Sequence, residues 1–187
     1  MNYGIMYKAT DNFQLIGYSD SDWASCLDDR RSTTGNVFML GTGPISRCSK
    51  KQNVPALSTT EAEYIATTST ACQAVWMRRL LNDIGMKQLE ATPILCDNQF
   101  TIAIAKNPTH HGRTQHIDIK FHYIRELIVD EDIVLQYCSI AEQTANILTK
   151  AVSIHRFNYL RKKLGVQDLQ LWGMLEIIED QIETTVD

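Results

Sequence analysis

Three strand-like segments precede a single long helical one in this chain, and only after that helix do strand and helix alternate. That order constrains the fold more than composition does. Residues 13–20 carry Phe13, Leu15, Ile16 and Tyr18 on both parities and read as a strand buried on both faces. Residues 34–40 read as a second strand and 45–51 as a third, joined into a hairpin by the turn Gly41-Thr42-Gly43-Pro44. Ser58-Thr59-Thr60-Glu61 then forms a capping box: the Ser58 hydroxyl accepts from the Glu61 amide, and the Glu61 carboxylate reaches back. It opens a helix over 59–84, with Ala66, Ala71, Ala74, Trp76, Leu80 and Leu81 as its apolar stripe and Gly85 as its stop.

Downstream, 93–97 reads as a short strand, 98–106 as a short helix and 107–113 as a polar loop. A helix follows over 117–128, spaced on Ile117, Phe121, Ile124 and Ile128, and 133–138 alternates as a strand. Ser139-Ile140-Ala141-Glu142 repeats the capping-box pattern and predicts a helix to Lys150, with another over 154–164. A hairpin followed by strand–helix alternation predicts an α/β fold, a mixed sheet with helices on its faces.

The chain has 187 residues, enough for one domain, or one domain plus a tail. With 44% hydrophobic and 21% charged residues it matches a soluble globular protein. No apolar run approaches the roughly 20 residues of a membrane span, and residues 1–11 lack the pattern of a secretory signal. Cys26, Cys48, Cys72, Cys96 and Cys138 are scattered and odd in number, which argues against a disulfide framework or a structural zinc site and for reduced, mostly buried thiols. The net charge of −4 is uneven. Asp168, Glu176, Glu179, Asp180, Glu183 and Asp187 follow Gly165 with no Lys or Arg among them, and leaving out those six acids takes −4 to +2. The rest holds the basic clusters Arg30 and Arg31; Arg47, Lys50 and Lys51; Arg78 and Arg79; and 161–163, patches able to neutralise phosphates.

Two carboxylates end strands: Asp20 the first and Asp97 the fourth, where α/β sheets commonly bind ligands. Glu63 lies one turn into the long helix and reaches the same spot if that helix crosses the sheet. Like charges this close need a counter-charge. Hard oxygen donors suit magnesium or manganese, and two such ions about 4 Å apart can drive phosphodiester cleavage.

Seven motifs now stand in order: Gly17-Tyr18-Ser19-Asp20-Ser21-Asp22-Trp23-Ala24; Asp29-Arg30-Arg31-Ser32-Thr33-Thr34-Gly35; Ser49-Lys50-Lys51-Gln52; Leu57-Ser58-Thr59-Thr60-Glu61-Ala62-Glu63-Tyr64; Cys96-Asp97-Asn98-Gln99; His116-Ile117-Asp118-Ile119-Lys120; and Ile147-Leu148-Thr149-Lys150. Together they resemble the ribonuclease H domain of copia-type LTR retrotransposon Pol polyproteins, from about Tyr3 to Val166. The resemblance implies a ribonuclease H-like α/β fold, a five-stranded mixed sheet with flanking helices. It implies metal-dependent endonuclease cleavage of the RNA strand of an RNA–DNA hybrid, leaving a 3′-hydroxyl, with two Mg2+ or Mn2+ ions. Its partners are then the hybrid and an upstream reverse transcriptase of the same polyprotein, not a membrane. The implied setting is intracellular, cytoplasmic in virus-like particles or nuclear, and not secreted. Residues 1–12 read as the remnant of the join to that reverse transcriptase, 13–165 as the ribonuclease H-like domain and 166–187 as an acidic tail.

Residue by residue, Asp20, Glu63 and Asp97 match the family's metal ligands, with Glu61 set aside as the helix cap and Asp22 as a turn acceptor. Asn146 stands where most relatives carry a fourth Asp, within Ala145-Asn146-Ile147-Leu148-Thr149-Lys150. Its amide offers one neutral oxygen, so the expectation is a slowed enzyme. Glu142 and Asp118 are weaker stand-ins. Arg30, Arg31, Arg47, Lys50 and Lys51 are expected on phosphates, and Asn98 and Gln99 on a ribose 2′-hydroxyl. His110, His111, His116 and His122 fit no zinc pattern, and Trp23, Trp76 and Trp172 read as packing residues. Two other readings stay open: an inert nucleic-acid-binding or scaffolding module from a decayed element, favoured by Asn146, and an integrase or transposase, disfavoured because the glutamate precedes the fourth strand.

Overall fold

The computed structural model describes residues 3–106 and 115–168, with backbone alone for 115–121. In chain order the elements are β1 (Tyr3–Ile5), β2 (Leu15–Ser21), β3 (Thr33–Leu40), β4 (Gly43–Lys51), α1 (Thr59–Asp83), β5 (Thr92–Cys96), α2 (Gln99–Lys106), α3 (Gln115–Val129), β6 (Ile133–Tyr137), a 3-10 helix (Thr144–Leu148), α4 (Ile154–Lys163) and β7 (Val166–Asp168). The main sheet has five strands in the order β4-β3-β2-β5-β6. Its first three are antiparallel, and β5 joins β2 and β6 in parallel. This is the expected mixed sheet.

The hairpin turn is shorter than the sequence pattern predicts. Leu40 pairs directly with Gly43, leaving Gly41 and Thr42 as the loop, with Gly41 at φ +60. Pro44 sits on the edge strand, where a missing amide costs no ladder bond.

Helix α1 is capped as expected at its start. Ser58 Oγ accepts from the Glu61 amide at 3.2 Å, but the Glu61 carboxylate takes the Leu57 amide, at 2.9 Å, rather than the Ser58 amide. Its end is a Schellman turn: Gly85 N–H donates to Asn82 O and Met86 N–H to Leu81 O, with Gly85 at φ +81. The helix buries polar side chains by folding their hydroxyls back on its own carbonyls. Thr67, Thr68 and Thr70 donate to Glu63, Tyr64 and Ala66 respectively, each four residues back. Its small residues Ala71 and Ala74 let it lie close to the sheet. The core forms between Leu15, Phe38, Ile94, Ile133 and Leu135 of the sheet and Tyr64, Met77 and Leu81 of α1, closed by Ile102, Ile124 and Leu127.

The second capping-box expectation is overturned. No helix begins at Ser139. The chain makes a turn on the Ser139 carbonyl, then a 3-10 helix capped by Gln143. The reason is long-range: the Gln143 amide donates to Ser19 O at 2.8 Å and Leu95 O at 3.2 Å, between β2 and β5. Its Oε1 accepts from the Ala145 amide. Glu142 turns away to accept from Tyr159 Oη at 2.8 Å and pair with Lys163.

Residues near the N-terminal end of the described chain make contacts with later segments. Strand β1 pairs antiparallel with β7, Tyr3 opposite Asp168, and the Arg161 guanidinium lies 4.4 Å over the Tyr3 ring. Tyr7 Oη donates to Pro44 O at 2.6 Å. His110, His111, Trp172 and the acidic stretch after 168 lie outside the described residues, as do the side chains of His116 and Asp118. His122 is exposed on α3. Trp23 and Trp76 are half exposed rather than core. Of the cysteines only Cys96 and Cys138 are buried; all five are free, and Cys72 is exposed. No helix among the described residues is long and apolar enough to cross a membrane.

Candidate active site

Strand alternation sends Asp20 to the sheet face opposite α1: its register partner is Gly35, which faces the 3-10 helix. Asp97 directly follows β5, the parallel neighbour of β2. Glu63 descends from the first turns of α1, and its Oε1 accepts from the Ser21 amide at 3.0 Å. Thus two strand ends and one helix start converge. Ligand atoms of Glu63, Cys96 and Asp97 lie within 4.8 Å of one another.

The electrostatics record that convergence. Burial raises the Glu63 carboxyl to about 8, with the charges of Asp20 and Asp97 adding to the effect. Burial raises Asp20 to about 6, against the pull of Lys150 and the Thr149 hydroxyl. Asp97 is raised by burial and lowered by Lys150. Glu63 Oε2 is buried and has no hydrogen-bond partner among the described residues. A buried carboxylate oxygen without a hydrogen-bond partner, raised by the charges of two neighbouring carboxylates, fits a hard divalent cation, for which Asp20, Glu63 and Asp97 would be the oxygen donors.

The neighbouring acids are occupied elsewhere. Asp22 accepts from Ser25 Oγ and the Thr33 amide, as a turn residue does. Glu61 holds the Leu57 amide at the helix start.

Asn146 is buried in the 3-10 helix. Its Nδ2 donates to Ile140 O at 3.4 Å, and its Oδ1 has no partner among the described residues. From this segment it is Thr149 and Lys150 that touch Asp20. Thr149 Oγ1 donates to Asp20 Oδ2, and Lys150 Nζ lies 3.4 Å from Asp20 Oδ1. Sequence reasoning gave these two residues no role, although they end the Ile147-Leu148-Thr149-Lys150 motif. Gln143 was also missed, and no local pattern marks it.

The predicted phosphate contacts separate into two kinds. Arg31 and Lys51 are engaged by Asp29, at 3.3 and 2.8 Å, and Lys51 also meets Cys26 Sγ at 2.9 Å. The Lys51 ammonium holds the Asp29 carboxyl down at about 2. Arg30, Arg47 and Lys50 are exposed. On β4, alternation sends Arg47 and Lys51 to one face and Lys50 to the other, so the cluster is not one patch. Arg78 is structural, donating to Glu90 O and Thr92 Oγ1 and pairing with Asp132.

Asn98 and Gln99 do lie at the site. With Ser21, Trp23, Glu63, Asp97, Phe100 and Tyr137 they line an open depression of about 520 Å³. Asn98 Oδ1 accepts from the Thr101 amide and so caps α2.

No protein-family model matches the chain. The chain is 42% identical over 152 residues to the retrovirus-related Pol polyprotein from transposon TNT 1-94 of Nicotiana tabacum, covering 81% of this chain and 11% of that protein. It is 37% identical over 165 residues to the corresponding polyprotein from transposon RE1 of Arabidopsis thaliana, covering 88% of this chain and again 11% of the relative. The chain therefore spans about a tenth of these relatives. Among solved structures, LC11-RNase H1 in complex with an RNA/DNA hybrid superposes with a TM-score of 0.52 at 13% identity, over 73% of this chain and 94% of that one. At that identity the likeness establishes the fold. This chain has a ribonuclease H fold, and its sequence places it with a segment of the copia-type, retrovirus-related Pol polyproteins.

Proposed function

We propose that this chain is a metal-dependent endonuclease that hydrolyses the RNA strand of RNA–DNA hybrids during retrotransposon reverse transcription. In this reading it works beside the reverse transcriptase of the same polyprotein, in the cytoplasmic particle or the nucleus. The observation that carries the reading is the clustering of Glu63 and Asp97, close enough to Asp20 for its charge to raise the Glu63 carboxyl, with Glu63 Oε2 buried and without a hydrogen-bond partner among the described residues.

Asp20, Glu63 and Asp97 are the residues to hold Mg2+ or Mn2+, all through oxygen. When bound there, such ions would supply activation of water and charge stabilisation for phosphodiester hydrolysis. The protein's own part is positioning. The Ser21 amide orients Glu63, and the Thr149 hydroxyl orients Asp20. Asn98 and Gln99, beside Asp97, are placed to meet the ribose 2′-hydroxyl. The exposed Arg30, Arg47 and Lys50 serve the phosphate backbone, so hybrid binding falls with salt.

Asn146 sets the rate. In this reading its Oδ1, without a partner among the described residues, is a neutral oxygen where the family pattern has a fourth Asp, so a second ion would bind weakly and turnover would fall. The test is cleavage of a labelled hybrid in Mg2+ and Mn2+. The expected result is RNA-strand cleavage that Asp20→Asn abolishes and Asn146→Asp increases. Absence of cleavage by both wild type and Asn146→Asp overturns the reading. Asn146 also favours a second reading, an inert nucleic-acid-binding module. That reading predicts no bound Mg2+ or Mn2+ at millimolar concentration.

A further inference from the structure

We propose that Lys150 is a built-in counter-cation of the carboxylate cluster: it holds Asp20 when no metal ion is bound and gives up that oxygen when one binds. The inference rests on the reading that Asp20, Glu63 and Asp97 take a divalent ion.

The two oxygens of Asp20 are held in different ways. Oδ2 accepts from Thr149 Oγ1, a buried hydroxyl. That partner is neutral and buried. Oδ1 faces Lys150 Nζ at 3.4 Å. The Asp20 side chain is 1% exposed, whereas that of Lys150 is 42% exposed. The ammonium therefore enters from solvent on a flexible four-carbon stem and can return there. Its distance is also long for a charge-assisted bond, which ordinarily closes to about 2.7–2.9 Å. The contact is loose enough to be displaced.

A cation is needed at this place. Lys150 touches Asp20, and its charge also lowers the proton affinity of Glu63 and Asp97. A metal ion held by Asp20 would need Oδ1, the oxygen Lys150 faces. A divalent ion at that oxygen repels the loosely held ammonium beside it, so metal binding favours release of Lys150 to solvent.

The experiment compares wild type with Lys150→Met, which keeps the stem and removes the charge. Mg2+ and Mn2+ affinities are measured by calorimetry, and metal-free stability by thermal unfolding. Lys150→Met is expected to bind Mn2+ about tenfold more tightly and to unfold at lower temperature without metal. Lys150→Arg, which keeps the charge, is expected to show no such gain. If wild type binds metal and Lys150→Met binds it equally or more weakly, the Lys150 proposal fails while the metal site stands. If neither protein binds metal, both fail. Should Lys150→Met not fold, the wild-type Lys150 side-chain nitrogen resonance gives the answer. It is expected to move toward that of a free lysine on saturation with Mg2+, and an unmoved resonance overturns the proposal.

Discussion

The Ser21 amide donates to Glu63 Oε1 at 3.0 Å, so the last residue of β2 fixes the carboxylate of α1 beside Asp20. Glu63→Gln keeps an oxygen for that amide and removes the charge. The variant should fold normally, lose metal affinity and lose hybrid cleavage by about 100-fold or more. Calorimetry and a cleavage assay check the two losses, and unchanged cleavage would return Glu63 to a structural role.

The metal-free protein should be most stable on the acid side of neutrality as far as this site decides it. Folding raises Glu63 from its ordinary 4.5 to about 8 and Asp20 from 3.8 to about 6. Between the ordinary and raised values the folded state holds protons that the unfolded state has released, so stability falls as pH rises through that window. Thermal unfolding from pH 5 to pH 8 should show the decline without metal. It should show a smaller decline with saturating Mg2+, because the ion takes the place of those protons. A metal-free melting temperature that rises over this range would contradict the placement of the two carboxylates.

Gly35 is the seat of the 3-10 helix. A Cβ there would lie 2.6 Å from Thr149 Cγ2, 3.1 Å from Ala145 O and 3.2 Å from Leu148 Cβ. Gly35→Ala should therefore push that helix off β3, at a cost of about 1–3 kcal/mol, and loosen Thr149 and Lys150 from Asp20. Chemical denaturation measures the first effect and metal titration the second. A variant with wild-type stability and affinity would mean that the segment docks without close contact.

Gln143→Leu removes the amide that satisfies Ser19 O and Leu95 O in the interior. Two buried carbonyls lose their side-chain donor, and a loss of about 1–3 kcal/mol is expected from urea unfolding. Gln143→Glu should also be destabilised, since it donates to at most one of the two carbonyls, and only when protonated. A neutral result for both would show that these carbonyls find other donors.

What could be inferred from sequence follows from the range of the forces. Strand order, the α1 cap and the strand-end positions of Asp20 and Asp97 come from periodicity and turn chemistry within a few residues. Glu63 could be chosen over Glu61 because a capping glutamate is already engaged locally, and the Leu57 amide does take it. The contacts of Gln143, Thr149 and Lys150 span 124, 129 and 130 residues. Nothing local distinguishes them, and the misleading Ser139-Ile140-Ala141-Glu142 pattern lies just upstream. The basic clusters failed in another way. Adjacent charges do not reveal which of them a carboxylate such as Asp29 will claim, nor that alternation on β4 divides Lys50 from Arg47.

The pairing of β1 with β7 has an architectural outcome. Tyr3 and Asp168 are register partners in antiparallel strands, so their Cα atoms stand about 5 Å apart. A polypeptide that arrives at Tyr3 and departs at Asp168 does both through one narrow neck. Entry and exit thus share one edge of the fold, so a linker of a few residues would be long enough to bridge Tyr3 and Asp168.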